Sequence, residues 1–255
     1  MERLIITLAL AVGLYVLPGC AMNTGTVPGA AAGAAAKPEP GQTPQTFEVK
    51  VTKIVSGKYL LYLPENYGTD PKQRWPLMLF LHGSGERGDD LELVKRHGPP
   101  KLVSESKQFP FIIVSPQCPL DEGWSPDMLM ALLDEVVAKY AVDEDRVYLT
   151  GLSMGGFATW TLAIAHPDRF AALAPICGGG NPSKAYLLKN IPIWVFHGAK
   201  DQTVKLEKAQ EMVDALKAAG GNVQFTIYPE AGHDCWTQTY DNPKFYEWLL
   251  QQRRL

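Results

Sequence analysis

The sequence predicts an α/β domain built on a mostly parallel sheet with helices on both faces. Three observations carry this. Apolar runs alternate with helical patterns along most of the chain. The runs are nearly continuous in apolar residues, as strands buried on both faces must be. One run ends in a glycine-flanked serine and passes straight into a helical pattern. The 255 residues suffice for one sizeable core. With 46% apolar and 20% charged residues, the composition excludes a disordered, collagen-like or coiled-coil chain. The formal charge of −3 and the lack of a long basic run argue against nucleic acid as a partner.

The elements follow in order. Residues 47–63 are short, alternating and rich in Val, Ile, Tyr and Leu, with Gly57 as a turn, which predicts an antiparallel N-terminal hairpin. Buried-type strands are predicted at 77–81, 111–115, 146–152, 170–176, 193–196 and 223–228. Helical patterns lie at 127–140, 154–165 and 204–219, the last stopped by Gly220 and Gly221. No fixed-period repeat interrupts this rhythm.

Ahead of the predicted catalytic domain, 47–255, stand two segments of other character. Residues 1–19 combine a charged start, an apolar run from Leu4 to Leu17 and small residues at the break, the pattern of an export signal too short to span a membrane comfortably. Leu17-Pro18-Gly19-Cys20 resembles a bacterial lipobox, although Pro18 departs from the usual small or hydroxyl residue. The resemblance implies lipidation of Cys20 and, with Ala21 following, an outer-membrane destination; the alternative is soluble export. Residues 20–46 are mostly Ala, Gly, Pro, Thr and Gln and read as a flexible tether. The membrane is thus expected as a partner only through the lipid anchor. Export implies an oxidising compartment, where Cys118, Cys177 and Cys235 allow at most one disulfide, with the pair left open. Their spacing contains no C-x-x-C, and the histidines form no ligand pair at helical spacing, so no metal and no cofactor are expected.

The chemistry centres on Gly151-Leu152-Ser153-Met154-Gly155. In a strand–turn–helix context this G-x-S-x-G lifts a serine hydroxyl above the sheet edge, and Ser153 is the candidate nucleophile. A serine needs a base, and the base needs an acid to orient it. Asp201 follows the strand at 193–196 and His233 follows the strand at 223–228, so both emerge on the same edge as Ser153. Asp234 is a rival acid, disfavoured because adjacent side chains in an extended loop point apart. His82 and His197 precede glycines at strand ends and read as loop braces, His166 as a helix-end cap, and His97 as water-facing.

LHGSGERGDD at 81–90, SPQ followed by GW at 115–124, GLSMGG at 151–156, HGAKDQTV at 197–204 and AGHDCW at 231–236 together make the chain resemble an α/β-hydrolase. More narrowly, it is similar to esterases related to polyhydroxybutyrate depolymerases and to the branch called predicted peptidases, over about residues 59–250. The resemblance implies an oxyanion hole from the backbone N–H groups of Ser84 and Met154. It leaves Glu86 and Arg87 as either a solvated loop face or a brace for that loop. It also marks residues 177–191 as too short for the cap many relatives carry, which predicts an open site with no cap domain. Trp124 and Trp236 either wall the substrate pocket or pack in the core. The function this implies is a serine carboxylesterase for short-chain or aryl esters, free or polymer-linked. Alternatives are a feruloyl or acetyl esterase on plant polysaccharide, a peptidase of the same triad, or a non-catalytic surface-binding lipoprotein. The oligomeric state is not legible.

Overall fold

The computed structural model describes Thr52 and residues 54–254. The predicted signal, Cys20, the tether and residues 47–51 lie outside the described residues. Seven strands form one sheet: β1 (Tyr59–Tyr62), β2 (Trp75–Leu81), β3 (Ile112–Pro116), β4 (Val142–Leu152), β5 (Ala172–Ile176), β6 (Ile193–Gly198) and β7 (Val223–Tyr228). Their spatial order is β1-β3-β2-β4-β5-β6-β7. Six helices accompany them among the described residues: α1 (Gly98–Ser104), α2 (Pro126–Lys139), α3 (Met154–Ala165), α4 (Glu207–Ala218), α5 (Trp236–Asp241) and α6 (Pro243–Leu250).

All neighbouring strand pairs are parallel except β1 and β3. The antiparallel strand expected near the N-terminus is therefore present, but Tyr59–Tyr62 pairs with Ile113–Pro116 rather than across Gly57. Residues 54–58 carry no strand, and Gly57 instead lies against the Met128 sulfur of α2. The hairpin pattern in the sequence could specify a period-two strand, not the partner that strand would choose.

Both faces of the sheet are buried, with period-two consequences. In β2, Leu77, Leu79 and Leu81 join the core under α2, α3 and α4, while Met78 and Phe80 join the core formed with Phe245, Tyr246 and Leu249 of α6 and Tyr240 of α5. Every residue of β2 is buried, which is why the run shows no polar alternation. Each such large side chain contributes about 1.5–3 kcal/mol by leaving water.

Helix α3 must approach β2 closely for its first residue to reach the sheet edge, and glycine makes that possible. A Cβ on Gly155 would lie 2.0 Å from the Leu81 carbonyl oxygen, a backbone atom that cannot move aside. Gly155→Ala is expected to cost about 3 kcal/mol, which for a domain of this size lowers Tm by roughly 6–12 °C. Calorimetry checks this; an unchanged Tm would mean the helix can retreat from β2 at no cost.

Between β5 and β6 lies only a 3-10 helix, Pro182–Leu188, with Ala185 and Leu188 turned into the core. That connection carries no cap.

Candidate active site

Ser153 stands between β4 and α3 with φ 52° and ψ −116°, a backbone conformation that L-residues seldom adopt. Its N–H donates to the Ile176 carbonyl at 3.0 Å, and its carbonyl accepts from Phe157 at 3.0 Å, so strand and helix hold the turn from both sides. Asp201 follows β6 and His233 follows β7. The three residues are separated by 48 and 32 positions in sequence and meet at one point. His233 Nε2 lies 2.9 Å from Ser153 Oγ, and His233 Nδ1 lies 2.7 Å from Asp201 Oδ2.

The surroundings favour a donor on one side of the His233 ring and an acceptor on the other. Asp201 Oδ1 accepts the backbone N–H groups of Thr203 at 2.8 Å and Val204 at 2.9 Å. The carboxylate is fully buried, whereas the His233 side chain is partly exposed. Burial raises the Asp201 pKa, but the hydrogen bonds from His233, Val204 and Thr203 outweigh it and hold the group below the usual carboxylate range. An ionised Asp201 accepts from His233 Nδ1–H, which leaves the Nε2 lone pair facing the serine hydroxyl. Asp234, the rival acid, is occupied elsewhere: its carboxylate accepts from the N–H and hydroxyl of Thr237, both at 3.1 Å, and so caps the start of α5.

The strand-end loop after β2 comes alongside. A Cβ on Gly83 would sit 3.6 Å from the Ser153 Cβ. Ser84 opens a 3-10 turn and Met154 opens α3, so both carry first-turn N–H groups without a carbonyl one turn earlier to accept them.

Residues 115–124 hold this loop in place. Gln117 Nε2 donates to the carbonyls of Glu86 at 3.0 Å and Asp90 at 2.8 Å, and Gly88 N–H donates to the Cys118 carbonyl. Cys118 N–H donates to His82 Nε2 at 3.0 Å, and His82 Nδ1 meets the Gly83 carbonyl at 2.6 Å. Burial pushes the His82 ring down to about 4, so it is neutral, with its hydrogen on Nδ1. Arg87 Nε donates to the Ser84 carbonyl at 3.1 Å. The brace expected of His82 is thus present, and Glu86 is buried rather than solvated. The quoted SPQ motif contains the glutamine that does this bracing, but a glutamine in sequence carries no sign of which carbonyls it will find.

Trp124 packs its ring 4.7 Å from the His82 ring and donates from Nε1 to the His82 carbonyl at 3.2 Å, so it also braces the loop. Trp236 is half-buried, with its ring edge-on to His233 at 5.2 Å and to His97 at 5.3 Å. His97, expected to face water, is partly exposed and also sits between Trp236 and Glu86, with Nε2 3.7 Å from Glu86 Oε1. The long separation between residues 97 and 236 hides this contact from the sequence.

Cys118, Cys177 and Cys235 are buried free thiols, and burial pushes the Cys177 thiol up. Among the described residues no group of three or more His, Cys, Asp or Glu is placed to hold a metal ion. Hollows of about 270 Å3 beside Val55–Tyr59 and α2, and of about 240 Å3 between β1 and α1, touch none of Ser153, Asp201 and His233.

Residues 123–243 match the model of the dienelactone hydrolase family. A solved structure described as a thermostable esterase superposes with a TM-score of 0.67 at 35% identity, covering 77% of this chain and 59% of its own. A protein of Aspergillus terreus named "Probable feruloyl esterase C" is 26% identical over 184 residues, 67% of this chain and 64% of the relative. Poly(3-hydroxyalkanoate) depolymerase C of Paucimonas lemoignei is 48% identical over 48 residues, 19% of this chain and 12% of that protein. The chain thus spans somewhat less than two thirds of the length of the solved esterase and of the Aspergillus protein.

Proposed function

Because the chain belongs to the α/β-hydrolase superfamily, we propose that it is a serine carboxylesterase. The observation that carries this reading is the unbroken contact from Ser153 Oγ through His233 to Asp201, at 2.9 and 2.7 Å. His233 takes the hydroxyl proton while Ser153 Oγ attacks the ester carbonyl. The N–H groups of Met154 and Ser84 receive the oxyanion. Collapse expels the alcohol, which takes its proton from His233 and leaves an acyl-enzyme. Water, activated by the same histidine, then releases the acid. Asp201 stabilises the imidazolium formed in each half.

The absence of a cap between β5 and β6 supports short-chain or aryl esters as substrates. The name of the Aspergillus relative favours aryl esters such as feruloyl esters. Likeness to acylaminoacyl peptidase at 16% identity reaches the fold alone and gives no ground for a peptidase. Residues 1–20 support export with a lipid anchor on Cys20, which mass spectrometry of the mature N-terminus tests.

A fluorophosphonate probe should label Ser153 in the wild-type protein and leave Ser153→Ala unlabelled. Labelling that persists in the variant would remove the nucleophile from this reading. Each methylene buried adds about 0.8 kcal/mol only where there is a wall to bury it against. For p-nitrophenyl esters, kcat/KM should therefore peak at acetate to butyrate and fall by octanoate, and EDTA should leave it unchanged. Trp236→Ala should blunt this preference, since that ring flanks His233. Trp124→Ala should lower the rate for every ester alike, by loosening the Ser84 loop. A maximum at decanoate or beyond would show a deep acyl site.

A further inference from the structure

Among the described residues four serine and threonine side chains are buried, and three of them satisfy their hydroxyls within the fold. Thr150 donates to the Ala174 carbonyl at 2.7 Å, Thr159 to the Gly155 carbonyl at 2.8 Å and Thr239 to the Cys235 carbonyl at 2.9 Å. Ser115 is the exception. It is only 1% exposed, yet its hydroxyl has no hydrogen-bond partner among the described residues. A hydroxyl withdrawn from water without a partner is destabilising, and native folds seldom leave one so.

Ser115 faces open space instead. It stands opposite Leu60 of β1 in the antiparallel ladder, and directly opposed residues project to the same face of a sheet. On that face, between β1, β3 and α1, lies the hollow of about 240 Å3. Ile113 and Ser115, both almost completely buried, form its floor, and the half-buried Leu60, Tyr62 and Val103 form its walls. Lys95, whose side chain is 35% exposed, stands at its mouth. The lining is therefore apolar between a hydroxyl at the inner end and a cation at the outer one.

These features specify a ligand. A cavity of about 150 Å3 holds a benzene ring, so this one has room for roughly ten to twelve non-hydrogen atoms. The sheet bounds it on one side and α1 on the other, a slot that suits a planar ring, and a ring loses less freedom on binding than a flexible chain. A hydroxyl on the ring meets Ser115, and a carboxylate at the opposite end meets Lys95. The ion pair of Lys95 with Glu92 does not compete strongly, because both side chains reach water and such pairs are weak.

We propose that this hollow is a binding site for a hydroxyaryl carboxylate, a single ring with a hydroxyl at one end and a short acid-bearing chain at the other. None of Ser153, Asp201 and His233 lines it. Hydrolysis of an aryl ester releases an acid of this chemistry, so on the reading proposed above the occupant is of the product class; the site itself does not depend on that reading.

The probe is 3-(4-hydroxyphenyl)propanoate, titrated into the full-length protein and followed by NMR and calorimetry, neither of which needs turnover. Saturable binding is expected with a Kd of about 1 mM or below, with contacts from the ring protons to the methyl groups of Leu60, Val103 and Ile113. Ser115→Ala should weaken this probe by about threefold to tenfold and leave 3-phenylpropanoate, which lacks the hydroxyl, unchanged. Lys95→Met should weaken both acids alike, by about twofold to fivefold. No saturable binding up to about 10 mM, ring contacts confined to Trp236 and His233, or equal weakening of the two acids by Ser115→Ala would overturn the proposal. So would contacts in the ligand-free protein between those methyl groups and residues 1–51, which would make the chain itself the occupant. Each of these outcomes bears on the hollow alone, and the fluorophosphonate experiment on Ser153 remains the separate test of the esterase reading.

Discussion

Ser153→Ala is expected to lower kcat on a short-chain aryl ester by roughly 10^4-fold or more, with the fold intact. The variant loses the attacking oxygen and keeps everything that surrounds it. His233→Ala should fall as far, because without a base the hydroxyl is a weak nucleophile. The two losses should not add: the double variant should be about as slow as either single one, since each removes the same concerted step. Circular dichroism and Tm separate this from unfolding. More than a few per cent of wild-type activity in Ser153→Ala would end the serine mechanism.

The second large effect concerns the choice of acid. Asp201→Asn should reduce kcat by about 10^4-fold, because an amide can present its NH2 to Nδ1 and turn His233 into the wrong tautomer. Asp234→Asn should change activity less than threefold and stability by under about 1 kcal/mol, since asparagine also caps a helix. The reverse ranking would move the acid to Asp234. The pH dependence of stability gives a further check. Asp201 has its native pKa held below the unfolded value, so its ionisation contributes stability that is complete above the unfolded pKa and is lost as pH falls through the native one. The Tm difference between the wild type and Asp201→Asn should therefore be largest near neutrality and shrink in acid.

The sheet was legible wherever burial alone chose the residue type. Leu77–Leu81 and Ile193–Phe196 are apolar because both faces of those strands are covered, and no other constraint competes there. The meeting of Ser153, Asp201 and His233 in the candidate site was legible where backbone geometry restricts the alphabet: glycines near Ser153, and a strand end before Asp201 and His233. The pairing of β1 was not legible, because alternation gives a strand its faces and says nothing about its neighbour. The bracing by Gln117 and Trp124 was also hidden. Their partners are backbone carbonyls, which every residue possesses. The contacts of His97 were hidden for a related reason: only the folded chain brings Trp236 across that charged loop.

On the proposed mechanism, the positive φ of Ser153 sets thermal endurance and turnover against each other at a single residue. A non-glycine residue kept in such a conformation costs on the order of 1–3 kcal/mol, and glycine would be free of most of that penalty. Ser153→Gly is therefore the rare substitution that should raise Tm while abolishing turnover. A library of this gene sorted only for survival of heating should enrich glycine at position 153, whereas one sorted for ester cleavage should never tolerate it. As the proposed nucleophile, Ser153 stands against a pull toward a sturdier and inert protein.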